Sequence, residues 1–349
     1  MDPVAALRRI AFLLERGQAP TYRVKAFRTA AAALAKLPDG DIEKRAAAGT
    51  LTNLAGVGPK TGAVAEQALQ GVVPDYLADL ERDLKPLAVG GEDLRQALRG
   101  DLHTHSDWSD GGSPIEEMAI TGQEIGHEYM VLTDHSPRLT VANGLTVERL
   151  QKQLQVVGAI DKAFQASDAG FRLLTGIECD INEDGTLDQT DEMLGRLDVV
   201  VASVHSKLRS GSREMTARML AAVRNPHTIV LGHCTGRMVA AGPSRGRPTS
   251  RPESTFDAQM VFDACAENDV AVEINSRPER LDPPKRLISM ALRAGCLFSI
   301  DTDAHAPGQL DWQILGCARA AECGVPADRI INTWPLERLL TWTATHAAA

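Results

Sequence analysis

The sequence predicts an α/β protein, a parallel sheet closed into a barrel, preceded by a small all-α domain. Three observations carry this reading. From Gly100 onward, short apolar runs alternate with longer segments of helical periodicity, over a length that suits one barrel of about 250 residues. Before residue 85 the periodicity is helical throughout. Nine residues able to ligate metal (His103, His105, Asp110, His135, Glu178, His205, His233, Asp303 and His305) fall in compact motifs, most of them directly after an apolar run.

The helical part begins with Pro3–Glu15, apolar at helical spacing, and continues with an alanine-rich helix near Tyr22–Lys36 that stops before Pro38-Asp39-Gly40. A third helix covers Asp41–Ala48, and a fourth follows Gly56-Val57-Gly58-Pro59-Lys60 as far as about Gln70. Residues 86–99 read as a linker with a small helix, so the domains run 1–85 and 100–345. Seven strands are predicted: Asp101–His103, Met130–Thr133, Leu173–Ile177, Val199–Val204, Ile229–Leu231, Val270–Ile274 and Leu297–Ile300. Helices separate most of them, for example Glu148–Ala166 and Glu214–Val223. Ala240–Glu253, rich in Gly, Pro and Arg, reads as an exposed loop, and Thr343–Ala349 as a frayed end.

Composition bounds the function. Hydrophobic residues make up 44% of the 349-residue chain and aromatics only 4%, so the core is aliphatic. There is no signal-peptide pattern, and no apolar stretch reaches the ~20 residues that cross a membrane. Six scattered cysteines without a CxxC pair predict reduced, mostly buried thiols in a cytoplasm. A net charge of −9 argues against a protein coated for nucleic acid, yet seven basic residues face one acidic residue between Arg8 and Lys36.

Six of the nine histidines belong to the candidate ligand set. In a βα barrel the site lies at the C-terminal strand ends, where six of the seven predicted strands place a motif. His103-x-His105 and Asp303-x-His305 each put two ligands on one side of an extended chain. Imidazole with carboxylate suits Zn²⁺, Mn²⁺ or Fe²⁺, and nine ligands exceed the need of two ions, so three divalent ions are expected, with Glu178 as the bridge. His127, His227 and His346 follow no strand in this way and are left out. Cys179 and Cys234 adjoin ligands, but alternation turns them away from the site as packing residues.

The motifs HTHSDWSDG (103–111), TDHS (133–136), GIE (176–178), SVHS (203–206), GH (232–233) and DTDAH (301–305) resemble those of the PHP (polymerase and histidinol phosphatase) phosphoesterases. The resemblance covers essentially residues 100–345 and implies a distorted, TIM-like (β/α)₇ barrel with a trinuclear centre. It implies that His103, His105, Glu178 and Asp303 hold one ion, that Glu178, His205 and His233 hold the second, and that Asp110, His135 and His305 hold the third. Paired metals supply a nucleophilic hydroxide at neutral pH and neutralise the phosphate and leaving group, so no protein nucleophile is needed. Glu178 and Asp303 would then be central to catalysis, and Arg138, Lys207 and Arg237 are candidates to hold a non-reacting phosphate.

Leu54–Lys60 fits a helix-hairpin-helix turn, in which Gly56 and Gly58 let the backbone approach a phosphate and Lys60 contacts it. Arg23, Lys25 and Arg28 lie nearby in the basic segment. TYRVKAFRTAAAAL and LTNLAGVGPKTGAVAEQAL resemble the N-terminal DNA-end-binding domain of family X DNA polymerases (PolX), whose bacterial members carry a PHP domain after the polymerase core. Residues 86–100 leave no room for that core, so polymerisation is not expected. The lysine that serves lyase chemistry in that family would fall on Val64, so lyase activity is doubtful. The expected activity is metal-dependent hydrolysis of phosphate esters at DNA ends or lesions in DNA repair: 3′–5′ exonuclease, 3′-phosphatase or abasic-site endonuclease. The alternative is a small-molecule phosphomonoesterase such as a histidinol phosphatase. The sequence points to no membrane and to no particular protein partner.

Overall fold

The computed structural model describes residues 1–167, 169–239 and 250–346. The chain divides into two compact units, Met1–Pro86 and Leu87–Ala349.

The first unit is all helix: α1 (Pro3–Arg16), α2 (Thr21–Ala35), α3 (Asp41–Ala47), α4 (Pro59–Leu69) and α5 (Asp75–Arg82). Asp2 caps α1 by accepting from the N–H groups of Val4 and Ala5, and Pro3 opens the helix. Leu7 and Ile10 of α1, Phe27 and Leu34 of α2, Val64 of α4 and Leu77 of α5 are all buried. The fifth helix was not resolved as a separate element in the sequence. It brings Tyr76 onto Phe27, ring centroids 5.4 Å apart.

The second unit opens with α6 (Glu92–Ala97), inside the stretch read from sequence as a linker. Seven strands follow: β1 (Gly100–Thr104), β2 (Tyr129–Leu132), β3 (Arg172–Asp180), β4 (Val199–Ser203), β5 (Val230–Leu231), β6 (Ala271–Asn275) and β7 (Phe298–Asp301). Each pairs in parallel with the next, so the spatial order is the chain order. Helices α7 (Ile115–Glu124), α8 (Val147–Ala166), α9 (Asp191–Leu194), α10 (Ser212–Val223), α11 (Ala258–Glu267) and α12 (Lys285–Ala294) provide the six crossovers, as parallel pairing requires, and α13 (Gln313–Glu322) follows β7. The last helix, α14 (Leu336–His346), includes Thr343–His346 of the stretch expected to be frayed, and residues 347–349 of that stretch lie outside the described residues. Of the predicted loop 240–253, residues 240–249 lie outside the described residues.

Alternation along the strands separates two environments. Ile177, Cys179, Val200, Ala202, Val272 and Ile274 pack with Met215, Met219, Phe262 and Ile288 of the surrounding helices. Leu174, Val199, Val201, Val230 and Ala271, near the strand starts, pack with Trp334 and Leu339, which close that end of the barrel. Crowding inside explains Gly176: a Cβ there would lie 2.6 Å from Val131 and 2.8 Å from the carbonyl of Val199.

Strands β1 and β7 meet without a regular ladder, joined by one bridge between Thr104 and Ala304. Side chains close this seam. Asp301 accepts from the Leu102 N–H at 2.9 Å, while Asp101 accepts from the Thr302 hydroxyl at 2.5 Å. Asn332 accepts from the Ile300 N–H at 2.8 Å and donates to the carbonyls of Ile300 and Gly100 and to Asp301. Gln313 donates to the carbonyls of Gly100 and Ile300, both at 2.9 Å, and its own oxygen faces Nε2 of His127 at 3.1 Å.

Candidate metal centre

The strand ends gather all nine predicted ligands into one cluster. His103 lies in β1 with His105 just beyond it; His135, His205 and His233 follow β2, β4 and β5; Asp303 and His305 follow β7. Glu178 lies within β3, which runs three residues further than its predicted end at Ile177. The long strand carries its carboxylate into the centre of the cluster. Oε2 of Glu178 is 3.4 Å from His103 Nε2, 3.6 Å from His105 Nε2 and 2.8 Å from His135 Nδ1. Oε1 is 3.2 Å from His205 Nε2 and 2.8 Å from His233 Nε2. Asp110 Oδ1 lies 3.4 Å from His135 Nε2 and 3.2 Å from His305 Nε2.

These separations fit divalent cations. Metal–ligand bonds of about 2.1 Å in a tetrahedral or octahedral shell space neighbouring ligand atoms by about 3.0–3.4 Å. The buried Nε2 atoms of His103, His105 and His205 and Oε2 of Glu178 have no hydrogen-bond partner, although each has an opposite group close by. Lone pairs converging on a common point produce that combination, and a hydrogen-bonded polar core does not.

Three groups can each converge on one ion: His103, His105 and Glu178; His135, Glu178 and His205; and His105, Asp110, His135 and His305. The partition differs from the one implied by family resemblance, because His105 and His135 each stand in two groups. Their ring centroids are 4.4 Å apart, and the two nitrogens of His135 face different carboxylates.

The electrostatics suit this role. Burial, then the neighbouring His305 and His135, hold His105 well below the usual imidazole range. Burial pulls His103 and His205 the same way, but carboxylates overcome it: Glu178 and Glu273 raise His103 well above its ordinary value, and Glu178 lifts His205 to about 9. Burial works to raise Glu178 and Asp303. Glu178 is nevertheless held low by His205, His103 and His135, and Asp303 by Arg280 and Arg277. Protons on imidazole thus balance the carboxylates where cations would, which is why such sites release protons on taking up metal.

Strand β6, which carried no recognised motif, supplies the groups behind the ligands. Glu273 stands 2.6 Å from Nδ1 of His103 and accepts from the His233 N–H at 2.5 Å. Asn275 donates to Asp303 at 3.3 Å. In the following loop, Arg280 pairs with Asp303 at 2.9 Å, and Arg277 reaches Asp303 at 3.3 Å and His305 Nδ1 at 2.9 Å. The signal was present in Val272–Arg277: Glu273-x-Asn275-x-Arg277 repeats the period-two spacing of His103-x-His105. Asp180, at the end of β3, accepts from the His205 N–H at 3.0 Å.

The three cations singled out from sequence are placed differently from one another. Arg138 is exposed and pairs with Asp180 at 3.3 Å and with the Asn182 oxygen at 2.8 Å. Lys207 is exposed, in a left-handed backbone conformation. Arg237 donates to the carbonyls of Arg280 and Leu281, so its guanidinium braces the loop that carries Arg280. His127 is buried away from the cluster against Gln313.

In the helical unit, Gly56 takes φ +89°, and a Cβ there would meet the Thr29 side chain at 2.6 Å. Gly58 caps α4, its N–H donating to Thr61 Oγ1 at 2.9 Å, with Pro59 as the first helical residue. Lys25 is exposed, Arg23 donates to the Tyr76 hydroxyl at 2.6 Å, and the Lys60 ammonium lies 4.0 Å from the centre of the Tyr76 ring. Arg28 turns inward onto Glu15, at 2.9 and 2.6 Å, with side chains 13% and 5% exposed. Val64 is buried, so no amine stands at that position.

Comparison with known proteins agrees with these two units. Residues 1–72 match a helix-hairpin-helix domain model, and residues 101–277 match the PHP domain model. The chain belongs to the PHP family. The PHP barrel is that of a metal-dependent phosphoesterase, and among the described residues no polymerase core accompanies it. The chain is 36% identical over 240 residues to a protein named DNA polymerase/3′-5′ exonuclease PolX from Bacillus subtilis. That match covers 69% of this chain and 40% of the longer protein, so this chain spans well under half of that relative. A protein named a probable phosphatase from Thermoanaerobacter sp. is 25% identical over 244 residues, covering 67% of this chain and 89% of the relative. Among solved structures, a histidinol phosphate phosphatase from Lactococcus lactis aligns with a TM-score of 0.47 at 20% identity, over 65% of this chain and 94% of that one. No helix among the described residues is long and apolar enough to cross a membrane.

Proposed function

We propose that this PHP protein hydrolyses phosphate esters in DNA at ends or lesions, as a 3′–5′ exonuclease, 3′-phosphatase or abasic-site endonuclease in DNA repair within the cytoplasm. The observation that carries the reading is the presence in one chain of a helix-hairpin-helix unit and the nine-residue cluster, in a protein with a relative named for exonuclease activity. Three divalent ions, Mn²⁺, Zn²⁺ or Fe²⁺, are the expected cofactors, and when bound they supply Lewis acidity and an activated water.

The chain's own residues do the rest. Glu178 presents its two oxygens to different sets of imidazoles and is the shared ligand. Glu273 orients His103, and Asn275 orients Asp303. Arg277 and Arg280 bring guanidinium N–H groups to the rim of the cluster, where non-bridging phosphate oxygens would sit. Arg138 and Lys207 are further candidates for more distant phosphates. In the helical unit, Gly56, Gly58 and Lys60 at the start of α4, with Arg23 and Lys25, would hold a DNA backbone without reading sequence.

The test is one assay panel with Mn²⁺- and Zn²⁺-loaded protein on a 3′-recessed duplex, an abasic duplex, a 3′-phosphate end and histidinol phosphate. The reading requires hydrolysis of at least one DNA substrate and its loss in Asp303→Asn. Rapid turnover of histidinol phosphate alone, unaffected by removing residues 1–86, would establish the second reading, a small-molecule phosphomonoesterase. That reading is favoured by the probable phosphatase matched over most of its length.

A further inference from the structure

The candidate ligands are unequally buried. His103, His105, Glu178 and Asp303 are at most 2% exposed, whereas the Asp110 side chain is 38% exposed and that of His305 16%. Asp110 and His305 therefore stand at the mouth of the centre; His135, 6% exposed, faces Asp110 from behind, and His205, 11% exposed, lies on the far side of Glu178. Asp110 alone among the nine is carried in the middle of a connecting loop, between β1 and α7.

One carboxylate holds that loop from behind. Asp134 is fully buried and accepts four hydrogen bonds. Its Oδ1 takes the Ser106 N–H at 2.8 Å and the Ser109 hydroxyl at 2.5 Å. Its Oδ2 takes the Ser106 hydroxyl at 2.5 Å and the Gln153 amide of α8 at 2.6 Å. Three of the four donors belong to the loop, and Ser109 immediately precedes Asp110. The loop also closes on itself. Gly111 N–H donates to the Ser106 carbonyl at 2.9 Å, an approach so tight that a Cβ on Gly111 would lie 2.6 Å from that backbone. Gly112 N–H donates to the His305 carbonyl at 2.7 Å, fixing the far end of the loop to the other mouth residue.

We propose that Asp134 is a positioning residue for Asp110: through Ser106 and Ser109 it fixes the loop that presents Asp110 to His135 and His305, and so sets how tightly the mouth of the centre holds a divalent cation. A carboxylate on an unsupported loop must be ordered when it binds, and that cost comes out of the affinity. A carboxylate already held in place avoids it. The inference rests on the nine residues being ligands, and it makes the mouth position separately tunable from the buried floor.

The experiment titrates chelator-stripped protein with Mn²⁺, counting free ion by electron paramagnetic resonance, in the wild type, Ser109→Ala, Asp134→Asn and Gln153→Met. Ser109→Ala removes one of the three loop bonds to Asp134, together with a long 3.5 Å contact from the same hydroxyl to Asp110, without a large fold risk. Asp134→Asn leaves that contact in place, and Gln153→Met removes the one Asp134 partner outside the loop. Expected is a weakening of about 10–100-fold in one class of sites for Ser109→Ala and Asp134→Asn, with the tighter class unchanged and Gln153→Met like wild type. Lost turnover should return as Mn²⁺ is raised. Equal weakening of all classes with a lowered apo melting temperature marks Asp134 as merely structural and overturns the proposal. So does an unchanged titration in both loop-side variants. A wild-type chain that binds no Mn²⁺ removes the ligand reading itself.

Discussion

Glu273 Oε1 stands 2.6 Å from Nδ1 of His103, both side chains fully buried, on strands β6 and β1 that do not pair with each other. A carboxylate at Nδ1 holds a proton there, so that Nε2, once its own proton is given up on metal uptake, would present its lone pair on the side of Glu178. Glu273→Gln turns an amide toward a backbone N–H that now donates to Glu273, that of His233. We expect metal affinity at the buried position to fall about 10–100-fold. Competition with a graded series of chelators measures it, and wild-type affinity in the variant would remove Glu273 from this role.

The β1–β7 seam depends on Asn332, which makes four hydrogen bonds in a fully buried setting. Asn332→Ala leaves the Ile300 N–H without its partner and takes one donor from Asp301, while the carbonyls of Gly100 and Ile300 keep Gln313. A stranded buried N–H costs about 1–3 kcal/mol, so a loss of that size is expected in urea unfolding of the metal-free protein. A midpoint within error of wild type would show that the seam draws its strength elsewhere.

His127 gives a pH dependence distinct from that of the metal centre. Burial first, then Arg95, depresses it to about 3, so the folded protein keeps it neutral. The unfolded chain takes up that proton below about pH 6.5, and the folded one does not. This contribution to stability is therefore complete above pH 6.5 and is lost as pH falls toward 3, with a slope of about 1.4 kcal/mol per pH unit. His127→Gln should flatten the acid limb of the stability curve of the metal-free protein by that slope. Parallel curves for the two proteins would refute the assignment.

The α4 hairpin predicts sequence-independent contact. Lys60→Ala should weaken DNA binding alike on unrelated sequences and lower the slope of log affinity against log salt by about 0.9 if one phosphate contact is lost. Arg28→Ala should act differently: Arg28 is paired with buried Glu15, so its loss should appear as a lowered melting temperature of the helical unit. Fluorescence anisotropy across a salt series, with calorimetry, separates the two.

What could be read in the sequence follows from how each feature is encoded. The seven strands and the nine clustered residues were legible because alternation and strand-end placement are local patterns, visible in motifs such as His103-Thr104-His105. Glu273, Asn275, Arg277 and Arg280 were not, because the predicted strand Val270–Ile274 ends in no motif of histidines, and only barrel closure brings these residues against His103 and Asp303. Arg28 failed in the opposite direction: it looked like part of a basic face, and only the packing of α1 against α2 supplies its partner Glu15. Asp134 and the Asp101, Asp301 and Asn332 seam belong to the same class, since their partners lie far away in the chain.

Glu178 stands between imidazoles from strands before it and strands after it: His103, His105 and His135 face one oxygen, and His205 and His233 face the other. During synthesis His103 emerges some two hundred residues ahead of Asp303 and His305. A nascent chain therefore exposes histidines able to catch a stray cation long before the last strand is made. His103, His105 and Glu178 are made early, whereas Asp303 and His305 come only after β7. If these residues hold ions, loading would be completed only as the barrel closes, and a chain cut short before β7 would carry an incomplete site rather than a smaller working one.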